Sequence, residues 1–297
     1  MVGKQERRYQ RMITVVLALI SLIMVIPLVL LVVASFTSNN EIVLHGYSFF
    51  PKELSLEAYR YIWNEWAQVF HAYGITILVT AIGTTIGVMM TLLYAYVLAH
   101  EKFPGKTFLA FYLFFTMLFN GGLVPTYIMY TRYLHMKNTI PALIIPGLLM
   151  SAFNVILTRT YIQSNVPAAL SEAAKIDGAT EFQVFRKVVL PMCKPIIATV
   201  GLFAGLGYWN DWTNGLYYIT DTNKFSIQQL LNNMIKNIEF LSKNANSNIN
   251  LASVGGGIPQ ETVRMAIAIV GLLPILIVFP FVQKYFVKGI SIGAVKG

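Results

Sequence analysis

The chain has 297 residues, of which 56% are hydrophobic and only 12% charged, whereas a soluble domain carries roughly 25% charged residues. Repeated apolar runs reach the ~20 residues needed to cross a ~30 Å hydrocarbon layer, which excludes a water-soluble enzyme or binding module and predicts an all-α membrane protein with six transmembrane helices. The net charge of +9 invites a nucleic-acid partner, but its placement along the chain argues against one.

In chain order, residues 1–11 form a basic N-terminus containing "KQERRYQR". The first span is expected at 12–35. Its apolar stretch, Met12 to Ala34, exceeds the 7–15 residues of a cleavable signal core, so it is expected to be retained. An outer loop follows at 36–72 and contains "LEAYRYIWNEW", in which Tyr59, Ile62, Trp63 and Trp66 recur on one helical face. A helix lying at the outer interface is the plain expectation, and a partner contact the sharper one.

The second span, 73–99, carries Gly83-x-x-x-Gly87, and the fifth, 196–218, carries Gly201-x-x-x-Gly205. Small residues four apart let helix backbones approach closely, and packing inside one bundle is expected rather than dimerisation. The third span, 107–130, is interrupted by "FNGGLVPTY". Broken backbone at that depth is tolerated where it is buried in protein or lines an aqueous cavity. The fourth span is expected at 139–158, an outer loop at 219–262 and the sixth span at 263–283. The helical core from 73 ends near 290 and leaves a tail at 291–297.

With both termini inside, the inner segments hold 14 of the 22 basic residues and 5 of the 13 acids. The inside then carries the whole excess charge and the outside is neutral, which is the positive-inside bias of a membrane protein and not a nucleic-acid footprint. Lone Cys193 excludes an internal disulfide and a multi-cysteine metal site. The histidines, His45, His71, His100 and His135, show no i, i+4 pair and no HExxH pattern.

One polar segment, 160–195, separates the fourth and fifth spans. Its core reads "VPAALSEAAKIDGATEFQVFRKVVLPMCKP" (166–195). Pro167 suits a first helical turn, and "AALSEAAKID" favours helix until Gly178 supplies a left-handed stop. Thr180 with Gln183 three residues on is a capping-box pattern. Phe182, Phe185 and Val189 form an apolar stripe on the second helix, which Pro191 is expected to end. Two short helices folded at Gly178 are too short and polar to cross, so they are expected to lie on the cytoplasmic side.

These residues match a family pattern: E-A-A, three residues, glycine, nine residues, an aliphatic, one residue, L-P. Here it is Glu172-Ala173-Ala174, Gly178, Val188 and Leu190-Pro191, with Val188 in place of the commoner isoleucine. It resembles the EAA loop of permease subunits in ATP-binding-cassette importers of type I. "DGA" at Asp177–Ala179, "NGGLVPTY", "IPQETVRMA" (258–266) and the terminal "GAVKG" are similar to the carbohydrate branch, closest to the maltose-permease second subunit and to oligosaccharide and alginate-type relatives.

The resemblance implies a coupling helix pair seated in the ATP-hydrolysing subunit. Glu172, Ala173, Ala174, Asp177, Gly178 and Ala179 would form the joint, Phe182 and Phe185 the anchor to the membrane core, and Leu190-Pro191 the exit. The tail, Gly293, Ala294, Val295, Lys296 and Gly297, would lie near the ATPases. It also implies a heterodimer with a second, homologous permease, a dimer of ATP-binding subunits and an external solute-binding protein, in a bacterial plasma membrane, with an oligosaccharide as cargo. The small-residue stretch "NINLASVGGGIP" (248–259) would by similarity probe the binding protein's pocket, with a plain flexible loop as the alternative. The chain has no GxxxxGK[ST] loop, so no cofactor is expected in it, and ATP with magnesium would belong to the partner subunits.

Substrate contacts are expected where polar and aromatic residues meet inside a span. In "GYWNDWTNGLYY", Asn210 and Asp211 lie roughly 21–23 Å above Ile196 at 1.5 Å per residue. Asn120 lies about 20 Å above Thr107 by the same count. Rings stack on the apolar face of a sugar while amides bond its hydroxyls, so Asn120, Trp209, Asn210, Asp211 and Trp212 are candidates for the path. The plain alternative is an interfacial aromatic belt with a structural Asn–Asp contact.

Two other classes compete. An ion-coupled transporter would set ionisable relays deep in its spans, where this chain offers Asp211 near one end. An intramembrane enzyme would need a metal cluster, a carboxylate dyad or a Ser–His pair, and the spans show none. No enzymatic activity is expected.

Overall fold

The computed structural model describes residues 4–100, 103–245 and 259–294, with side chains over 8–100, 103–240, 259–280 and at 283. Among these residues the fold is helical, and the single extended pairing is an isolated antiparallel bridge between Thr37 and Leu54. The helices are α1 (Lys4–Ser35), α2 (Asn39–His45), α3 (Glu57–Asn64), α4 (Trp66–Ala99), α5 (Lys106–Leu118), α6 (Leu123–Ile128), α7 (Pro141–Ile144), α8 (Ala152–Asn165), α9 (Ala168–Ile176), α10 (Glu181–Val184), α11 (Leu190–Met192), α12 (Lys194–Trp209), α13 (Thr213–Tyr218), α14 (Ile227–Ala245) and α15 (Gln260–Ala294). Two compact units are formed, Met1–Val69 with Leu231–Pro274, and Phe70–Leu230 with Ile275–Gly297.

Among the described residues, three helices are long and apolar enough to cross a membrane: Arg8–Ser35, Trp66–Ala99 and Gln260–Pro280. Two bent pairs bring the count to at most five if each is a single span, Lys106–Leu118 with Leu123–Tyr133 at 113° and Glu181–Met192 with Lys194–Trp209 at 81°. The expected third span is therefore broken where "FNGGLVPTY" predicts it. The run expected as a fourth span, 139–158, does not form one helix. Pro146 disfavours helix at the residue before it, and Gly147 has a φ of +73°. Short α7 and the 14-residue α8 lie on either side of this interruption.

In the first unit, α1 is apolar all round and the apolar window at its core is wholly exposed, as suits a helix solvated by lipid. The Ser35 and Tyr59 hydroxyls lie 2.8 Å apart, and the rings of Phe36 and Tyr59 stack at 4.8 Å, so α3 is held against the end of α1. The predicted face splits: Ile62 is buried and Tyr59 half-buried, while Trp63 and Trp66 are exposed. The loop expected at 219–262 contains a helix the sequence reading missed. On α14, whose first residues, Ile227–Leu230, belong to the second unit, Ile227, Leu230, Leu231, Met234 and Ile238 are all buried, a plain helical period. At the start of α15 the Glu261 N–H donates to Asn39 Oδ1 at 3.0 Å, and the Glu261 carboxylate accepts from the Tyr47 hydroxyl and from Arg264.

In the second unit, α4 and α12 pack at Gly83, Gly201 and Gly205, while Gly87 of the first pair lies against the Leu149 carbonyl. A Cβ at Gly201 would touch Val88, one at Gly205 would meet Thr84 Oγ1 at 3.5 Å, and one at Gly83 would collide with the Tyr208 ring. The Tyr208 hydroxyl donates to the Ile144 carbonyl at 2.9 Å, which fixes α12 against α7. Leu92, Ala95 and Leu98 of α4, Leu113 of α5, Val155 and Ile162 of α8, and Ile196 and Val200 of α12 share one core with Val184, Phe185, Val189 and Cys193. That core carries the polar elbow.

Candidate functional site

The elbow between α8 and α12 is built by local stops. Pro167 caps α9 in an extended conformation (ψ 128°), one residue ahead of the first helical turn where the sequence put it. At the other end Gly178 has a φ of +83°, its N–H donates to the Lys175 carbonyl at 3.0 Å, and the Ala179 N–H donates to the Ala174 carbonyl at 2.9 Å. These two bonds are a Schellman closure, which needs a left-handed residue at that position. Thr180 then opens the next helix with both halves of the capping box: the Gln183 N–H donates to Thr180 Oγ1, and the Thr180 N–H donates to Gln183 Oε1 at 2.9 Å.

Beyond Val184 the backbone widens into a π-helical turn over Phe185–Val189 and continues through α11. Pro191 therefore does not end the helix as the sequence reading expects. A proline ring clashes with the carbonyl four residues earlier, here Lys187, and the wide turn at that carbonyl accommodates it. The break comes at Cys193, and α12 starts at Lys194. The buried stripe also differs from the one the sequence predicts. Val184, Phe185 and Val189 are buried, whereas Phe182 is 64% exposed. Within this chain the anchor is Phe185 with the valines, and the expected role of Phe182 as an inward anchor is corrected. Of the joint residues, Ala174 and Ala179 pack against the core, and Glu172, Ala173, Asp177 and Gly178 are exposed. Leu190 is partly buried against the core and Pro191 is exposed.

A tertiary cluster that sequence reasoning missed ties the elbow to α4. Glu181 accepts from the Tyr96 hydroxyl at 3.0 Å, pairs with Lys175 Nζ at 2.5 Å and has His100 Nε2 at 3.8 Å. The hydrogen bond from Lys175, then that from Tyr96, holds the Glu181 carboxyl below the usual carboxylate range. The Tyr96 ring also packs on Phe185, with centroids 5.2 Å apart. No local pattern announces this, because Tyr96 and Glu181 are 85 residues apart.

The expected path residues fall at two separate helix breaks. Asn120 lies between α5 and α6, where its Oδ1 accepts from the Gly122 N–H at 2.9 Å. Trp209 ends α12, and Asn210, Asp211 and Trp212 lie between α12 and α13. Trp209 is near the ring of Tyr73, centroids 6.3 Å apart, and Asn210 Nδ2 donates to the Leu206 carbonyl at 3.0 Å. Asp211 Oδ1 accepts from the N–H groups of Thr213 and Asn214 at 3.1 and 3.2 Å, so its carboxylate caps α13. The Asn214 amide in turn donates to the Pro146 carbonyl at 2.9 Å. In the tail, Gly293 and Ala294 continue α15. Val295, Lys296 and Gly297 lie outside the described residues, as does 248–258 of the small-residue stretch.

Residues 98–292, which include the whole elbow, match the family described as binding-protein-dependent transport system inner membrane component. The chain belongs to that family. It is 35% identical over 293 residues to the polygalacturonan/rhamnogalacturonan transport system permease protein YtcP of Bacillus subtilis (strain 168), covering 99% of this chain and all of the relative. It is 34% identical over 275 residues to protein LplC of the same organism, covering 93% of this chain and 90% of that one. Among solved structures it resembles a bacterial ABC transporter involved in the import of the acidic polysaccharide alginate, with a TM-score of 0.75 and 27% identity over 96% of this chain and 99% of the other. Permeases of this family are transport components and not enzymes.

Proposed function

We propose that the chain is the membrane-spanning permease of a carbohydrate importer in a bacterial plasma membrane, driven by ATP hydrolysis in separate subunits. One observation carries the mechanism: the segment that resembles a coupling loop is a capped elbow whose second helix is rooted in the core of the bundle. Leu170, Ile176 and Phe182 are exposed on it, an apolar face on a polar segment that suits a protein partner better than water. Phe182 thereby passes from anchor to contact residue, beside Glu172, Asp177 and Gly178.

The full arrangement has six crossings with both termini inside, the fourth being the interrupted α7–α8 pair. A second permease completes the pathway, two ATP-binding subunits lie on the cytoplasmic side and a solute-binding protein delivers cargo from outside. ATP and magnesium are bound by those partners. Closure of the ATPase pair pushes α9, and the buried Val184, Phe185 and Val189 pass the displacement to α4, α5, α8 and α12. The cargo is an oligosaccharide. YtcP is named for polygalacturonan and rhamnogalacturonan transport, and the similar solved structure for import of an acidic polysaccharide, so acidic oligosaccharides are the first to assay. Trp209, Asn210 and Trp212, with Asn120, are the side chains to test for contact, while Asp211 supports them as a cap.

Glu172→Lys and Gly178→Leu test the reading. Each variant is expected to insert normally, to lose co-purification with the ATP-binding subunits and to abolish uptake. Wild-type uptake by both variants overturns it.

A further inference from the structure

We infer that Glu181 is a positioning residue: with Tyr96 and Lys175 it locks α9 to the end of α4, so that a push on the elbow moves α4 and does not merely swing α9 about Gly178. This rests on the coupling role proposed above and says where the displacement goes.

The argument starts from what holds α9. The helix has no buried residue of its own; the anchor residues Val184, Phe185 and Val189 all lie beyond the Gly178 turn. A Cβ at Gly178 would meet nothing within 4 Å, so the turn is not packed in place. Apart from the Schellman bonds and the light packing of Ala174 and Ala179, orientation of α9 depends on side chains. Lys175, one residue before the helix end, is paired with Glu181 at 2.5 Å, and the same carboxylate takes the Tyr96 hydroxyl at 3.0 Å. Tyr96 sits on α4, whose other contacts, at Gly83 and Gly87, pack it against Tyr208 of α12 and the Leu149 carbonyl. A carboxylate that accepts one bond from each of two helices defines their relative angle, and charge-assisted bonds are the stronger kind. His100, 3.8 Å away, adds a second α4 group to the joint.

Lys175 and Glu181 are 38% and 61% exposed, and exposed pairs contribute little to stability. A lock of this type is therefore separable from folding, and that makes it testable. The full chain is assembled with its partner permease and ATP-binding subunits, and a bimane fluorophore is attached at Met89→Cys, an exposed α4 position. The readout is the emission shift on trapping with ATP and vanadate, which needs no cargo.

Glu181→Ala is expected to cut the shift at least threefold while the ATP-binding subunits still co-purify and the melting temperature stays within about 2 °C, as for other exposed-pair losses. Tyr96→Phe is expected to cut it as well, and the double variant to be no worse than Glu181→Ala, because both remove one lock. The exchange Lys175→Glu with Glu181→Lys is expected to recover more of the shift than Glu181→Lys alone. A full-sized shift in Glu181→Ala overturns the inference, as does a shift lost only together with the ATP-binding subunits. If the wild-type chain fails to bind those subunits, the coupling role itself has failed, and that result is visible before any Glu181 variant is made.

Discussion

The elbow at 166–193 and the break at 209–213 both interrupt helices with polar residues, yet they use them in opposite ways. In the elbow the backbone is closed by a glycine and a capping box, and the acids Glu172 and Asp177 remain outward-facing. At the break the acid itself closes the backbone, because Asp211 accepts from the next helix's first N–H groups. An acid inside an apolar run thus reads as a site but can be consumed by its own chain. The difference lies in who satisfies the orphan donors of a helix start.

The largest expected effect bears on the break. Gly83→Leu drives a side chain into the Tyr208 ring just before it, and overpacking of this kind costs about 3 kcal/mol, read as a lower melting temperature in detergent. In the elbow, Gly178→Ala meets no neighbour, so its cost is the left-handed backbone alone, roughly 1–2 kcal/mol. Gly178→Asn should recover most of that, since asparagine tolerates this conformation; equal losses would mean the turn is held by something other than φ.

Asp211→Ala is expected to cost about 1 kcal/mol as a lost cap, whereas Asp211→Asn keeps both stability and uptake. Loss of uptake by the asparagine variant at wild-type stability would turn Asp211 back into a cargo contact and erase the contrast. Thr180→Ala should also cost about 1 kcal/mol, with Thr180→Ser close to wild type.

The smallest effect is a pH dependence. A carboxyl whose folded pKa is lowered contributes stability above its unfolded pKa, and that contribution is lost as pH falls through the folded value. The Glu181 lock is therefore complete at neutral pH and fails only below the ordinary carboxylate range, about pH 4. Amide protection at Gly178 and Ala179, corrected for intrinsic exchange, should fall there in the wild type and stay flat in Glu181→Gln.

The elbow was legible in the sequence wherever its stops are local: Gly178, Thr180 and Gln183 act within a few residues. So was the break at Asn120, since glycine and proline punctuate any helix. The Tyr96–Glu181 bond was not, because only the packed bundle brings the two together. Phe182 is misplaced by a stripe drawn through the phenylalanines alone, since the buried side of this helix is centred between Val184 and Phe185 and leaves Phe182 outside it. Helix α14 is hidden for a different reason: its period is plain, but a long polar segment between two spans reads as loop on composition alone. That 139–158 is not one continuous helix follows from Pro146 and Gly147, which apolar content alone does not register.

Cys193 is the chain's single cysteine, and it is fully buried in the core at the base of the elbow. Maleimides and other bulky thiol reagents added to the folded protein have no path to its sulfur. The wild-type chain is thus its own silent background for labelling chemistry: a thiol introduced on the exposed face, at Glu172 or Asp177, would be the sole one to react.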